Sequence, residues 1–330
     1  MTGPHPATAA TRLAVRRALQ ECGPGDLVLV AVSGGADSLA LAAATAFEVP
    51  ALALRSGAVV VDHGLQPGSA AVAQRAAQAC RDLGLDPVEV ATVEVGPAAG
   101  GPEAAARSAR YAALDEAAGR LGATRVLLGH TLDDQAEQVL LGLVRGAGGR
   151  SLAGMPRVRG HHVRPLLGVT REQTRASCRA EGLQWWEDPM NEDPAYTRVR
   201  ARRALLDLER DLGPGVAAAL ARTADHLRED TDLLDALADE AAAALGAGPW
   251  DVAGLLATPR PVRTRVWRRL AVVAGAPAGR LSTRHTDACD ALLTRWHGQG
   301  PVSLPGGLRA TRVDGRVSIR VPIVAPAPVE

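Results

Sequence analysis

Leu27-Val28-Leu29-Val30-Ala31-Val32-Ser33-Gly34-Gly35-Ala36-Asp37-Ser38 is the stretch on which the reading of this chain turns. Six apolar residues end in a Gly-Gly turn, and an Ala/Leu-rich helical stretch follows from Ser38. A short apolar run bounded by a turn describes a buried strand. Backbone N–H groups at the helix start, beside glycines that allow close approach, form an anion cradle. Ser33 and Ser38 add hydroxyl donors. Asp37 in such a cradle would repel a phosphate unless it faces a cation, which implies Mg²⁺ bound together with a nucleotide. A tight strand–helix turn alone explains Gly34 and Gly35, but not the two serines and the aspartate. Ser33, Gly34, Gly35, Ala36, Asp37 and Ser38 are therefore read together as a nucleotide site.

The alternation continues beyond this loop. Ala58-Val59-Val60-Val61 is a second apolar run, ending at Asp62-His63-Gly64. Residues 69–84 read as helix, 87–93 as strand and 102–122 as an Ala-rich helix. Arg125-Val126-Leu127-Leu128 is another buried strand, with a helix from about Leu132. Short strands alternating with helices mean βαβ units, hence a doubly wound α/β domain around a parallel sheet. After Gly146-Ala147-Gly148-Gly149 the alternation fades. Residues 170–182 read as helix and 185–189 as a loop, and Gly213-Pro214-Gly215 is a strong breaker. Helices follow over 216–245, 251–257, 260–273 and 282–297, and 301–321 is strand-like. The expected division is a nucleotide-binding domain over 1–213 and a smaller, mainly helical domain over 214–330, two domains being the natural number for 330 residues.

Composition narrows the chemistry. All 37 basic residues are arginine. Without a lysine there can be no Walker-A phosphate loop, protein-kinase site, pyridoxal Schiff base or lysine-adenylating nucleic-acid ligase. Cys22, Cys80, Cys178 and Cys289 stand far apart, with neither zinc nor cluster spacing, as expected of thiols in a reducing cytosol. The N-terminus carries Arg12, Arg16 and Arg17 within its apolar part, unlike a secretory signal. The most apolar stretch, Leu27 to Phe47, is broken by the glycine turn and Asp37, so no membrane span is expected and the reading is a cytoplasmic protein. The net charge of +1 hides segments. Residues 141–203 hold 12 arginines against 6 acids and 258–330 hold 12 against 4, while 204–257 between them hold 3 against 11. Two basic blocks suggest two surfaces for a polyanion, although solvated helix faces also produce such runs.

A second chemical element is Gly129-His130-Thr131-Leu132-Asp133-Asp134-Gln135-Ala136-Glu137, at the carboxyl end of a later strand. Ligands of doubly wound sheets gather at such ends near the switch point, which would bring it to face the 33–38 loop. Asp133, Asp134 and Glu137 would lie within one helical turn, suited to Mg²⁺ or to an ammonium group. Helix capping explains one of these acids well and three poorly.

The 33–38 loop resembles that of the N-type ATP pyrophosphatases. With it occur, in one order, Val61-Asp62-His63-Gly64-Leu65, Ala106-Arg107-Ser108-Ala109-Arg110-Tyr111, the Asp-Asp-Gln-Ala-Glu string, Arg145-Gly146, Arg164-Pro165-Leu166-Leu167 and Trp186-Glu187-Asp188-Pro189-Met190-Asn191. Together they resemble the tRNA(Ile)-lysidine synthase family over roughly residues 25–205, and more weakly at Leu304-Pro305-Gly306-Gly307. Thr131 stands where that family more often has a second histidine, and a counterpart of the second C-terminal domain of longer members is not expected in these residues. The resemblance implies an adenine nucleotide alpha hydrolase-like fold and ATP cleaved between its α- and β-phosphates. It further implies adenylation of the wobble cytidine of a CAU-anticodon tRNA(Ile), and displacement of AMP by free L-lysine. It adds Asp62, His63 and His130 to the nucleotide site and makes Asp37, Asp133, Asp134 and Glu137 the catalytic carboxylates, with Asp37 and Asp134 toward Mg²⁺. RNA contacts would come from Arg107, Arg110 and Arg145, and from the arginine cluster Arg198, Arg200, Arg202 and Arg203. Trp185-Trp186 could stack on a base, but core packing is the stronger reading. A tRNA thiolase on the same loop is the nearest rival, yet this chain lacks the C-x-x-C pair usual there. A small-metabolite synthetase would need no two-block basic footprint, and a non-catalytic nucleotide or RNA-binding module is a third reading. A homodimer stays open.

Overall fold

The computed structural model describes residues 3–62, 64, 68–93 and 102–321. His63 therefore lies outside the described residues. The chain divides into two compact units, Met1–Arg228 and Glu229–Glu330. The division falls inside a long helix rather than at Gly213-Pro214. Those residues break the chain only locally, and the helix beyond them begins within the first unit.

The first unit is built on β1 (Leu27–Val32), β2 (Arg55–Asp62), β3 (Val88–Thr92), β4 (Ala123–Leu128), β5 (Val158–Arg159) and β6 (His162–Val163). Their order in the sheet is β3-β2-β1-β4-β6-β5. All neighbours are parallel except the short edge strand β5. Helices α1 (Pro6–Ala18), α2 (Ala36–Glu48), α3 (Ser69–Asp82), α4 (Pro102–Leu121), α5 (Leu132–Val144), α6 (Gly149–Leu152), α7 (Arg171–Ala180) and α8 (Thr197–Leu212) complete it. Strand periodicity explains why the central strands read as unbroken apolar runs. Val28, Val30 and Val32 point into one core, with Leu39 and Leu41 of α2, while Leu27 and Leu29 point into another, with Leu114 and Ala117 of α4. Both faces are covered, which is the doubly wound arrangement. The chain leaves β1 toward β2 on one side, and β4 lies on the other. The carboxyl ends of β1 and β4 are thus neighbours at the switch point.

Helix α9 (Val216–Leu245) carries the chain into the second unit, which contains α10 (Val252–Leu256), α11 (Arg260–Val273) and α12 (Thr283–Thr294). The strand-like end proves to be a four-stranded antiparallel sheet, β7-β10-β9-β8, of β7 (Trp250–Asp251), β8 (Val302–Ser303), β9 (Arg309–Val313) and β10 (Arg316–Arg320). Its inner positions Ala310, Val317 and Ile319 pack with Trp267, Leu270 and Leu292 of the helices. The opposite positions carry Arg309, Thr311, Arg316, Ser318 and Arg320. Among the described residues no helix is long and apolar enough to cross a membrane.

Candidate active site

The loop after β1 is set by local hydrogen bonds. Gly34 takes φ +84°, the left-handed region that a side chain disfavours, so glycine is required for the turn. The Ser38 hydroxyl accepts the Ser33 N–H at 3.1 Å and donates to the Gly35 carbonyl at 2.9 Å. The Trp186 N–H donates to the Gly34 carbonyl at 2.9 Å, pinning the loop from the segment 185–191. Trp185 is partly buried and packs against the core. Gly129 makes the neighbouring strand end approach closely: a Cβ there would lie 3.2 Å from the Ser38 nitrogen.

Three helix N-termini meet at this point. Asp37 stands in the first turn of α2, Asp133 and Asp134 in that of α5, and Arg171 opens α7. Arg171 is the hub. Its Nη2 donates to Asp134 Oδ1 at 2.9 Å and to Glu137 Oε1 at 3.3 Å, and its Nε lies 3.7 Å from Asp37 Oδ2. Its backbone N–H donates to Asp133 Oδ2 at 2.8 Å. Thr174 donates a short hydrogen bond to Asp37 Oδ1. Arg202 Nε reaches Glu137 Oε1 at 2.8 Å, so this arginine serves the acidic cluster.

Sequence reasoning missed Arg171 and Thr174. A signal existed: Thr170 and Gln173 form a capping box, which puts Arg171 at a helix N-terminus. A cation is disfavoured there unless carboxylates face it.

The carboxylates differ in character. Burial pushes Asp37 up to about 6, and Asp134 and Asp133 add to the rise against the pull of Thr174 and Arg171. Burial also raises Glu137, reinforced by Asp134. For Asp134 burial acts upward too, yet Arg171 and the Thr131 N–H outweigh it and hold the group below its ordinary value. Both Asp134 oxygens are engaged, Oδ2 by the Thr131 N–H at 2.8 Å and Oδ1 by Arg171. Asp37 Oδ2 is thus less committed than either oxygen of Asp134. Asp62, at the end of β2, accepts the Gly64 N–H and closes its own turn.

His130 is half-buried, and its Nδ1 is enclosed with no hydrogen-bond partner among the described residues. Burial lowers it to about 4, with Arg164, Arg107 and Arg198 acting the same way, so the imidazole is neutral at physiological pH. Arg110 lies within charge range of Arg107 and Arg198, bringing arginines of α4 and α8 together beside the site. Arg145 is exposed at the end of α5. Arg200 is bonded to the Pro194 and Ala195 carbonyls, and Arg203 to that of Glu192.

Fold and site define a nucleotide-binding protein of the PP-loop class, and residues 10–209 match the family described as PP-loop domain. The chain is 56% identical to a tRNA(Ile)-lysidine synthase of Thermobifida fusca, over 97% of this chain and 99% of that one. It is 52% identical to one of Streptomyces coelicolor, with coverage of 96% and 99%. The chain belongs to the tRNA(Ile)-lysidine synthase family. Among solved structures, a U34-tRNA thiolase from Methanococcus maripaludis with its [4Fe-4S] cluster is similar at TM-score 0.57 and 19% identity, over 68% of this chain and 80% of that one. At that identity the likeness is one of fold.

Proposed function

We propose that this protein joins free L-lysine to carbon 2 of the wobble cytidine of the CAU-anticodon tRNA(Ile), consuming ATP and yielding AMP and pyrophosphate. Lysidine at that position changes the codon read from AUG to AUA. The observation that carries the reading is identity above one half with lysidine synthases over nearly the whole of both chains. The site supplies chemistry to match. The loop 33–38 and the helix start behind it would cradle the triphosphate, and Asp62 and His130 are assigned to the nucleotide with them, as is His63, which lies outside the described residues. Asp37, Asp133, Asp134 and Glu137 carry four formal negative charges against two on Arg171 and Arg202. This excess fits hard cations and ammonium groups. Mg²⁺, held by Asp37 through its freer oxygen with Asp134 beside it, would neutralise charge developing on the phosphates.

The cytidine carbonyl oxygen displaces pyrophosphate from the α-phosphate and becomes adenylated. The lysine ε-amine arrives as an ammonium and is drawn to the acidic cluster. It must lose a proton before attack. A carboxylate of the cluster takes it, directly or through water, and Glu137, its pKa raised by burial, is the one assigned this role. Attack at carbon 2 expels AMP. The protein contains no lysine, so no side-chain amine of its own competes. Arg107, Arg110, Arg145, Arg198, Arg200 and Arg203 are assigned to tRNA phosphates, as are Arg309, Arg316 and Arg320 on the outward sheet face of the second unit. The working compartment is the cytoplasm, where tRNA is found.

Product accounting tests the reading. With ATP and the tRNA alone, pyrophosphate is released to about one equivalent per tRNA, and AMP release awaits lysine. ATP cleavage driven by a small metabolite without tRNA would overturn the assignment, and sulfur transfer into tRNA would favour the thiolase reading.

A further inference from the structure

Away from the nucleotide loop, Asp115 of α4 and the pair His161-His162 at the start of β6 turn their donor atoms toward one point. Asp115 Oδ1 lies 2.9 Å from His161 Nε2 and 3.2 Å from His162 Nε2. The three ligand atoms all fall within 4.8 Å of one another. These are ion-pair distances, yet neither Nε2 atom, both buried, makes a hydrogen bond among the described residues. Two ring nitrogens thus crowd one carboxylate oxygen without a hydrogen bond to it. A tetrahedral ion with bonds of about 2.0–2.1 Å sets its ligands about 3.3 Å apart, near the 3.2 Å between Asp115 and His162 and somewhat more than the 2.9 Å between Asp115 and His161.

From this convergence we propose that Asp115, His161 and His162 form a binding site for a divalent transition-metal ion of the zinc class. Two imidazoles and one carboxylate suit Zn²⁺, Co²⁺ or Ni²⁺ rather than Mg²⁺ or Ca²⁺, which prefer all-oxygen sets. His161 and Asp115 are partly exposed, with 38% and 51% of their side-chain surface accessible, so an ion can enter and keep water at its remaining position. The site joins α4 to β6. One turn before Asp115, Tyr111 lies edge-on to the His162 ring at 5.0 Å, and its hydroxyl accepts from both Arg107 and Arg164. Occupancy would therefore fasten the helix that presents the Arg107–Tyr111 motif to the sheet.

The test is titration of the full chain, free of any polyhistidine tag, with Co²⁺ and Zn²⁺. The wild type is expected to take up one ion, to show Co²⁺ visible bands without a thiolate charge-transfer band, and to gain melting temperature on Zn²⁺ addition. Asp115→Asn and His161→Gln alter partly exposed residues and should fold normally without metal. Each should weaken binding at least about tenfold and abolish the thermal gain. Failure of the wild type to bind either ion, binding unchanged in both variants, or a thiolate band would overturn the proposal.

Discussion

Asp37 works under a penalty that pH can reveal. Its carboxyl is held at about 6, above the unfolded value near 4, so the fold disfavours its ionisation. Below about pH 4 the group is protonated in both states and costs nothing. Between about pH 4 and 6 the unfolded chain gives up this proton while the folded group keeps it, so stability falls by about 1–3 kcal/mol and levels off above 6. Asp37→Asn should therefore melt higher than wild type at pH 7.5 without ligands, by a margin that closes near pH 4, while adenylation is almost completely lost. Near-normal turnover in that variant would remove Asp37 from the mechanism. Arg171 is the opposite case. Replacing it by Gln leaves Asp134 and Glu137 facing each other with only Arg202 in reply, and should cost about 3–5 kcal/mol by thermal or urea unfolding. The residues of the nucleotide loop were legible because their chemistry is local, a glycine turn with two hydroxyls and an acid in six positions. Arg171 was hidden among the 12 arginines of its block, since its four carboxylates come from two other helices and only the fold assembles them.

At the scale of elements, the site depends on how closely β4 passes the start of α2. Gly129→Val would press a side chain onto the Ser38 backbone. The expected result is a loss of about 1–3 kcal/mol in stability and a KM for ATP raised more than that for lysine, read from steady-state kinetics. An unchanged KM for ATP would mean that the contact does not shape the loop. Asp134 and Glu137 stand one turn apart but divide their work, the first capping α5 and the second gathering two guanidiniums. Glu137→Gln should raise the KM for lysine more than that for ATP and let adenylated tRNA accumulate. If adenylation itself is lost, the carboxylates serve the metal. The strands β1, β2 and β4 were readable from apolar runs, and α9 and α11 run over 216–245 and 260–273 as their periodicity expects. The pair β5 and β6 was not readable, because strands of two residues carry no period. The C-terminal sheet showed only as a strand-like stretch, its pairing being set by the core beneath it.

For the molecule as a whole, the charge segments of the sequence partly cancel in space. In the second unit Arg265 pairs with Asp235 at 3.0 Å, and Arg269 makes a short contact with Asp239, so the acidic face of α9 answers arginines of α11. Arg268 is spent on the Leu281 and Ala278 carbonyls. No count along the chain could show this, as the partners are about 30 residues apart. The sheet is different, for Arg309 and Arg320 stand directly opposite one another on β9 and β10. Like charges so placed are unfavourable unless an anion lies over them. Neutralising that pair to Gln should raise the melting temperature of the free protein and lower the log–log salt slope of tRNA binding by about two, whereas neutralising Arg265 and Arg269 should destabilise the unit and leave the slope unchanged. Equal slopes in the two variants would assign both sets to solubility. The central claim, amine transfer to one activated cytidine, is tested most directly by incubating the protein with ATP, a CAU-anticodon tRNA(Ile) transcript and each labelled amino acid in turn. Lysine alone should enter the RNA, at the wobble cytidine, in an amount matched by AMP release; label from another amino acid, or lysine at any other nucleotide, would contradict the account.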